Sequence, residues 1–409
     1  MQQRPNPRSF SFKTVLLCCL LIAGSSLLRA ERLPIKIYTS ADGLGSSAAF
    51  SLVRDTRGFI WLCSRDGLVR FDGYRFITYR IGNDDADPAV FSLLPTQNGV
   101  YWINLNTGID YRFIDKGDAT QLAPIQQQLS KNDPRILLAN VEPITDKLRF
   151  PSFEDSAGNL WGYESRGLDL LREVNGRTTS QFVELRLPGN PQDGLKSVDF
   201  KNGSDGSLWL GTNWGLVRRL ADGRFVHFTF GAQNNSAPIR IFAEDRDNRV
   251  WIARPEGILV LKVEPVSQVD GSDQFSERKV VIKPGRVATN GEAQLPKQPG
   301  EAFTFSFRDM FLRDVSEKLH GETAAKPTVW GLVCATDGKT WIANIGGLVL
   351  YDGKRFQHFT EAQGLASNNL GDMVEDNEGT IWLNSYAGLM RVNPRGLIAF
   401  DLKIGRAHV

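Results

Sequence analysis

Cysteine, histidine and methionine are scarce, with four of each in 409 residues. Cys18 and Cys19 lie in an N-terminal apolar stretch, which leaves Cys63 and Cys334 in distant parts of the chain. These two are expected to be buried small hydrophobes and not a disulfide. There is no CxxC and no Cys/His cluster, so the sequence offers no zinc site. HExxH, GxSxG and a phosphate-binding glycine loop are absent too. No metal, cofactor or catalytic residue is therefore expected. His227 and His358 occupy matching Phe-x-His-Phe positions and read as surface features of a repeat. Charge of one sign is also lacking. The formal net charge is +2 and no long basic run follows the N-terminus, so nucleic acid is not an expected partner.

Long apolar runs are missing apart from Val15–Ala23, which is too short to cross a bilayer comfortably. Arg4, Arg8 and Lys13 precede it, and small residues lead to Ala30. Residues 1–30 thus read as a signal peptide, with a retained anchor as the alternative. The expected location is periplasmic or otherwise extracytoplasmic.

What the chain has in abundance is one repeated phrase, clearest at Asp55–Phe76, DTRGFIWLCSRDGLVRFDGYRF. Trp recurs at 61, 102, 161, 209, 251, 341 and 382, each followed six residues later by Gly and then by Leu or Ile. Three residues before the Trp stands another Gly, or Asn248 in the fifth copy. Apolar runs alternate with turn signals (Asp55–Gly58, Arg65–Gly67, Asp72-Gly73), which gives four short strands per copy and no helix. The Trp spacings are 41, 59, 48, 42, 90 and 41 residues. Units of that kind point to an all-β, seven-bladed β-propeller of four-stranded antiparallel blades, with the Trp packed between blades. The second copy is degraded, since its first turn Thr96–Gly99 has no Asp.

Ile37–Leu44 aligns with His358–Leu365 at an offset of 321, and the register holds through Trp61/Trp382. Ile35–Thr39 therefore reads as an outer strand that completes the last blade and closes the ring, which removes open edges. The propeller is assigned to residues 31–402. An insertion over about 265–328 lies between the fifth and sixth blades; it is rich in Gly, Pro and polar residues and contains a helical pattern, FRDMFLRDVSEKL. That pattern reads as a short helix on the rim, and an eighth, degenerate blade is the other reading. Residues 403–409 end in IGRAHV, a string that a common sequencing adapter would encode, so the tail is expected to be non-native.

The phrase D-x-x-G-x-[IL]-W-[IL]-x-[TSN]-x-x-G-L, continued by RFDGYRF, resembles the two-component regulator propeller repeat family. The resemblance covers about Ile35 to Asn393. It implies the periplasmic sensor region of a histidine kinase or related regulator, which would be joined to a membrane span and an output domain downstream. Contact with the membrane would come only through that downstream part. A fold of this kind carries ligand identity poorly.

Variable turns between second and third strands are the places to look for a ligand site. They offer Arg65, Asn106, Arg166, Asn213, Trp214, Arg254, Asn344 and Tyr386. Aromatics beside Asn and Arg suit a small or oligomeric ligand, glycan-derived in the simplest reading. The bland alternative is that these are ordinary solvated loop residues. Three functions follow: a ligand-binding sensor portion that is not itself an enzyme, a secreted propeller lyase or glycosidase, and an interaction scaffold. A homodimer remains open.

Overall fold

The structure is a computed structural model. It describes residues 33–45, 49–81, 89–107, 110–114, 136–137, 142–144, 151–174, 177–185, 194–196, 198–213, 215–221, 223, 225–230, 239, 241–254, 257–262, 275–280, 303–305, 329–353 and 356–393. The signal-peptide reading, the C-terminal tail and the FRDMFLRDVSEKL pattern lie outside these residues.

The described residues fold as an all-β propeller of antiparallel sheets. Seven sheets are present among them, one per Trp. The first shows the plan: Ala49–Arg54, Ile60–Ser64, Gly67–Phe71 and Phe76–Arg80 pair in sequence order. The innermost strand is the first of each sheet. In the seventh sheet Leu370–Glu375, Ile381–Ser385 and Gly388–Val392 are followed by Ile35–Tyr38, paired antiparallel with Gly388–Val392 from Ile35 opposite Val392 to Tyr38 opposite Leu389. Two sheets carry an added fifth strand in parallel: Ile136–Leu137 beside Phe76–Arg80, and Phe275–Val280 beside Phe225–Phe230.

The stretch 265–328 therefore differs from a plain insertion. Phe303–Phe305 pairs with Ile258–Val260 as the outer strand of the fifth sheet, and Phe275–Val280 extends the fourth. That outer strand returns about forty residues after Gly257–Lys262, too far along the chain for a short hairpin turn to mark it.

Each Trp lies between sheets. Six are almost wholly buried, and Trp102, in the sheet of the degraded copy, is 4 % exposed. Burying an indole also buries its N–H, which must find an acceptor. The Asp six residues earlier supplies it: Trp61 Nε1 donates to Asp55 at 2.8 Å, Trp161 to Asp155 at 2.8 Å, Trp251 to Asp245 at 2.7 Å and Trp382 to Asp376 at 2.8 Å. The other carboxylate oxygen takes two amides of the turn, as Asp155 does from Ala157 and Asn159 at 3.0 and 2.8 Å. This Asp is thus both turn former and indole acceptor. Where it is replaced, by Thr96, Gly203 and Ala335, the N–H groups of Trp102, Trp209 and Trp341 have no partner among the described residues.

Neighbouring sheets are tied by a repeated link at one end of the propeller. The last residue of an innermost strand accepts the amide of the preceding sheet's first turn: Glu154 from Gln97 at 2.7 Å, Asn202 from Ser156 at 3.0 Å, Glu244 from Ser204 at 3.1 Å and Glu375 from Thr336 at 2.9 Å. Arg57 Nη2 reaches Tyr101 Oη from first sheet to second, and Arg54 Nη1 reaches the Glu375 carbonyl from first to seventh.

Two substitutions test the Asp–Trp pair. Asp155→Ala leaves an indole N–H and two turn amides without their acceptor and should cost about 2–4 kcal/mol. Ala335→Asp offers Trp341 the acceptor it lacks and should gain about 1 kcal/mol. Thermal or urea melts of both variants beside the parent read the two signs.

Candidate functional site

In every sheet, the start of the innermost strand lies beside the end of the second strand, because those two strands run antiparallel. Ala49 faces Ser64, Val90 faces Leu105, Val329 faces Asn344 and Leu370 faces Ser385. The starts of the innermost strands and the second-to-third turns therefore share one end of the propeller.

The Ser, Thr or Asn that closes the second strand caps this turn. Ser64 Oγ donates to the Gly67 carbonyl at 2.9 Å, Thr212 Oγ1 to Gly215 at 2.9 Å and Ser385 Oγ to Gly388 at 3.0 Å. The following Gly is obligatory for two reasons. Gly347 has φ +125°, and a Cβ there would collide with the Phe359 carbonyl of the fourth strand.

Three of the sequence candidates are held by the scaffold. Asn213 is buried and engages loop backbone at both ends of its amide, accepting from Lys196 N at 3.1 Å and donating to Gly194 O at 3.1 Å. Asn106 Oδ1 accepts from Ala89 N at 3.1 Å. Asn344 is fully buried and accepts from Gly346 N. Arg65, Arg166 and Tyr386 are exposed at this end, with Tyr386 at 74 %. Trp214 and the side chain of Arg254 lie outside the described residues. His358, expected at the surface, is only partly exposed and contacts the Gly346 carbonyl at 2.9 Å. The side chain of His227 is outside the description. Cys63 is buried and Cys334 half-buried, and both are free thiols.

Sequence reading missed the main feature of this end. Four innermost strands carry an irregularity at the start, between Ala49 and Ser51, Val90 and Ser92, Val329 and Gly331, and Leu370 and Met373. They belong to the sixth, seventh, first and second sheets. The fourth sheet is regular at this place, Val198 facing Thr212 and Asp199 facing Gly211, and in the third and fifth sheets the matching position lies outside the described residues. Such bulges re-aim side chains and cluster next to functional sites. Here they put Phe50, Phe91 and Trp330 at the same repeat position, eleven residues before the Trp, and leave them 43, 48 and 52 % exposed. Phe50 and Phe91 meet edge-on with centroids 5.4 Å apart. With Ile345 and Tyr386 on the adjoining turns, five of the nine exposed large hydrophobics among the described residues gather on this arc. Scattered exposed apolar residues need no explanation, but a gathered set does.

The next repeat position, ten before the Trp, carries carboxylates at Asp372 and Asp199. Asp372 accepts from Leu52 N at 2.9 Å, Ser51 Oγ at 3.3 Å and Met373 N at 2.8 Å, so it also ties the seventh sheet to the first. Asp199, on the fourth sheet, pairs with Lys201 at 3.8 Å. Burial pushes the proton affinity of both carboxyls up, with Lys201 pulling back on each. Burial raises the Cys63 thiol first, and Asp372 adds to it. Among the described residues no group of His, Cys, Asp and Glu could hold a metal ion.

No family model matches the sequence. A 51-residue stretch is 39 % identical to histidine kinase P4 of Formosa agariphila, covering 12 % of this chain and 4 % of that protein. Among solved structures, the extracellular domain of BT4673 from B. thetaiotaomicron, assigned to hybrid two-component systems, is similar at TM-score 0.55 and 16 % identity, over 88 % of this chain and 39 % of that one. A streptogramin B lyase gives TM-score 0.53 at 13 % identity, over 88 % of this chain and 98 % of that one. PorZ, a surface component of the type-IX secretion system of Porphyromonas gingivalis, gives 0.52 at 14 %, over 87 % and 48 %. At these identities the likeness establishes the propeller fold alone. The chain spans well under half the length of the kinase and of the BT4673 domain.

The two raised carboxyls set a pH dependence. A carboxyl that holds its proton more tightly when folded adds stability as the pH falls through its raised pKa, and loses that contribution as the pH rises. The parent should therefore retain more stability on moving from neutral to about pH 5 than Asp199→Asn, which has lost one such group. Thermal melts of both proteins across that range measure the difference in slope.

Proposed function

We propose that this chain is the extracytoplasmic, ligand-binding sensor portion of a two-component signalling protein, with the output carried by a kinase or regulator domain. The bulged arc carries the reading: four consecutive sheets are bulged at one end, and aromatic side chains stand exposed there. The likeness to the BT4673 extracellular domain and the stretch shared with histidine kinase P4 support the same class. Among the described residues no helix is long and apolar enough to cross a membrane. The ligand is a small or oligomeric compound, glycan-derived, stacking on Trp330, Phe50 and Tyr386, with Arg65 on the rim. Calorimetric titration with a panel of neutral, amino and acidic oligosaccharides tests this. Trp330→Ala and Tyr386→Ala should each weaken binding about tenfold, since a lost stacking contact is worth about 1.4 kcal/mol. Tyr74→Ala, 96 % exposed on a turn at the other end, should leave it unchanged. Equal binding by all three variants would sink the assignment.

The second reading is a secreted propeller lyase, favoured by the near-complete coverage of the streptogramin B lyase. Turnover of a candidate substrate by the purified chain would decide for it.

The finer architecture belongs to the same proposal: the seven sheets are the seven blades of one ring, and Ile35–Tyr38 closes it. Several observations support closure. Gly388 approaches the Tyr38 carbonyl as Gly67 approaches Tyr79 and Gly347 approaches Phe359, so Tyr38 fills the fourth-strand position. Tyr38 stacks on Trp382 at 5.7 Å. Thr39 and Thr360 form the same capping box before Gly43 and Gly364, as the 321-residue offset requires. Deleting Leu33–Thr39 should cost several kcal/mol, given about 1.5–3 for each buried side chain, in a domain stable by only about 5–15. The new edge should also promote aggregation. Removing Asn290–Pro296 should shift the melt far less. Small, equal shifts would mean that the N-terminal strand does not close the ring.

A further inference from the structure

The end of the propeller opposite the bulged arc carries a second departure from the repeat. Three third strands place an arginine directly across from the buried Trp: Arg70 opposite Trp61, Arg218 opposite Trp209 and Arg391 opposite Trp382. Each guanidinium lies over its indole, 5.8, 4.8 and 5.5 Å from the ring centre. Two of the three are answered by an acid four residues before the Trp. Arg218 bonds to Asp205, and Arg391 Nη2 donates to Glu378 at 3.0 Å. In the first sheet that position holds Arg57. The next sheet supplies no acid either. Glu154, Glu244 and Glu375 reach back to the preceding turn from the third, fifth and seventh sheets, and their counterpart in the second is Pro95.

Arg70 is therefore buried without the partner its counterparts have. It is 7 % exposed, and its Nε and Nη1 have no hydrogen-bond partner among the described residues. Asp55, the acid of this turn, is already committed. It accepts from Trp61, Tyr101 and the amides of Arg57 and Phe59, and lies 3.7 Å from the Arg57 guanidinium. Phe59, Trp61 and Tyr79 surround the Arg70 guanidinium at 4.9, 5.8 and 5.7 Å, and Arg57 lies over the same Phe59 ring at 5.0 Å. Ring faces attract a cation, but they offer its five N–H donors no lone pair. Buried donors left unmade are rare and call for an explanation.

We propose that Arg70 and Arg57 form a binding site for a small oxyanion, a carboxylate, phosphate or sulfate group. The ligand takes the place that Asp205 and Glu378 fill in the fourth and seventh sheets. Its oxygens accept from the Arg70 guanidinium, whose planar fork of donors matches two oxygens of such a group. Arg57 is exposed and adds positive charge where the ligand enters. Burial of Arg70 strengthens the contact, because a charge pair is screened least where water is excluded. Position separates this site from the aromatic arc. The arc lies where innermost strands start, whereas Arg70 stands near the end of a third strand, beside the first turn. The oxyanion site is thus independent of the sensor reading.

Calorimetric titration of the full chain with inorganic phosphate, sulfate and acetate, at ionic strength matched with chloride, tests the site. At least one probe should bind the parent with a Kd of about 1 mM or below. Arg57→Asp restores the kind of residue that the fourth and seventh sheets carry, and Arg70→Leu follows Leu170 and Leu350 of the third and sixth, so both suit the fold. Each should weaken binding at least about tenfold. Arg57→Asp should also raise the melting temperature without ligand, because Arg70 gains an acceptor. Lys339→Ala removes a cation beside the matching turn of the sixth sheet and should leave binding unchanged. Binding of phosphate or sulfate without acetate assigns a tetrahedral ester group, and binding of acetate assigns a carboxylate. No binding by the parent, or equal binding by the parent and either arginine variant, overturns the site. The sensor reading then stands as before, since it is read through Trp330 and Tyr386 at the other end.

Discussion

The indole N–H of the repeated Trp is the constraint on which each sheet is built. A side chain of that size supplies much of the apolar burial between sheets, but it carries a donor into a region without water. In four copies an Asp six residues upstream takes that donor, and the same carboxylate folds the turn that brings it there. One residue therefore couples strand pairing, turn conformation and core packing. The three copies that lost the Asp keep the Trp buried, so their packing outweighs an unmade hydrogen bond of about 1–3 kcal/mol. Arg218 offers partial relief in the fourth copy, its guanidinium lying 4.8 Å from the Trp209 ring centre and bonded to Asp205. A repeat can decay in this way as long as neighbours on both sides hold their shape.

Much of the fold was legible because the repeat forces it. The Trp-to-Gly interval of six residues is the last three residues of the second strand, a two-residue turn and the Gly itself, which the approach of the fourth strand requires. The 321-residue offset was legible for the same reason: Thr39 and Thr360, Gly43 and Gly364 do the same local work. The outer strand of the fifth sheet was not, since Phe303–Phe305 is short and distant in sequence from the strand it joins. The Asp was read as turn chemistry alone, because spacing does not reveal what its second oxygen accepts.

The candidate site was less legible, and Asn shows why. An amide that recognises a ligand and one that clamps a loop have the same donors and acceptors. At 213 the nearby Lys196 amide and Gly194 carbonyl take both ends, and nothing in the local sequence announces that. The second-to-third turns are also only part of the surface at that end. The aromatics Phe50, Phe91 and Trp330 come from strand starts, where a bulge turns an otherwise inward-alternating residue outward. Strand alternation predicts the face of every residue except at a bulge, so side chains placed by bulges are those a pattern argument loses.

Those departures also bear on function. A set of near-identical units has no reason of stability to bulge the sheets on either side of the ends of the chain and keep the fourth regular, because every sheet solves the same packing problem. Exposing three aromatic side chains works against burial, and Asp372 and Asp199 are kept where burial raises the cost of their charge. Asp372 has a structural use as a tie to Leu52 and Ser51, but Asp199 makes no bond to a neighbouring sheet among the contacts described. The repeat explains the scaffold. It does not explain the exposed aromatics of the first, second and sixth sheets or the Asp199–Lys201 pair of the fourth, and the proposed ligand site rests on those aromatics.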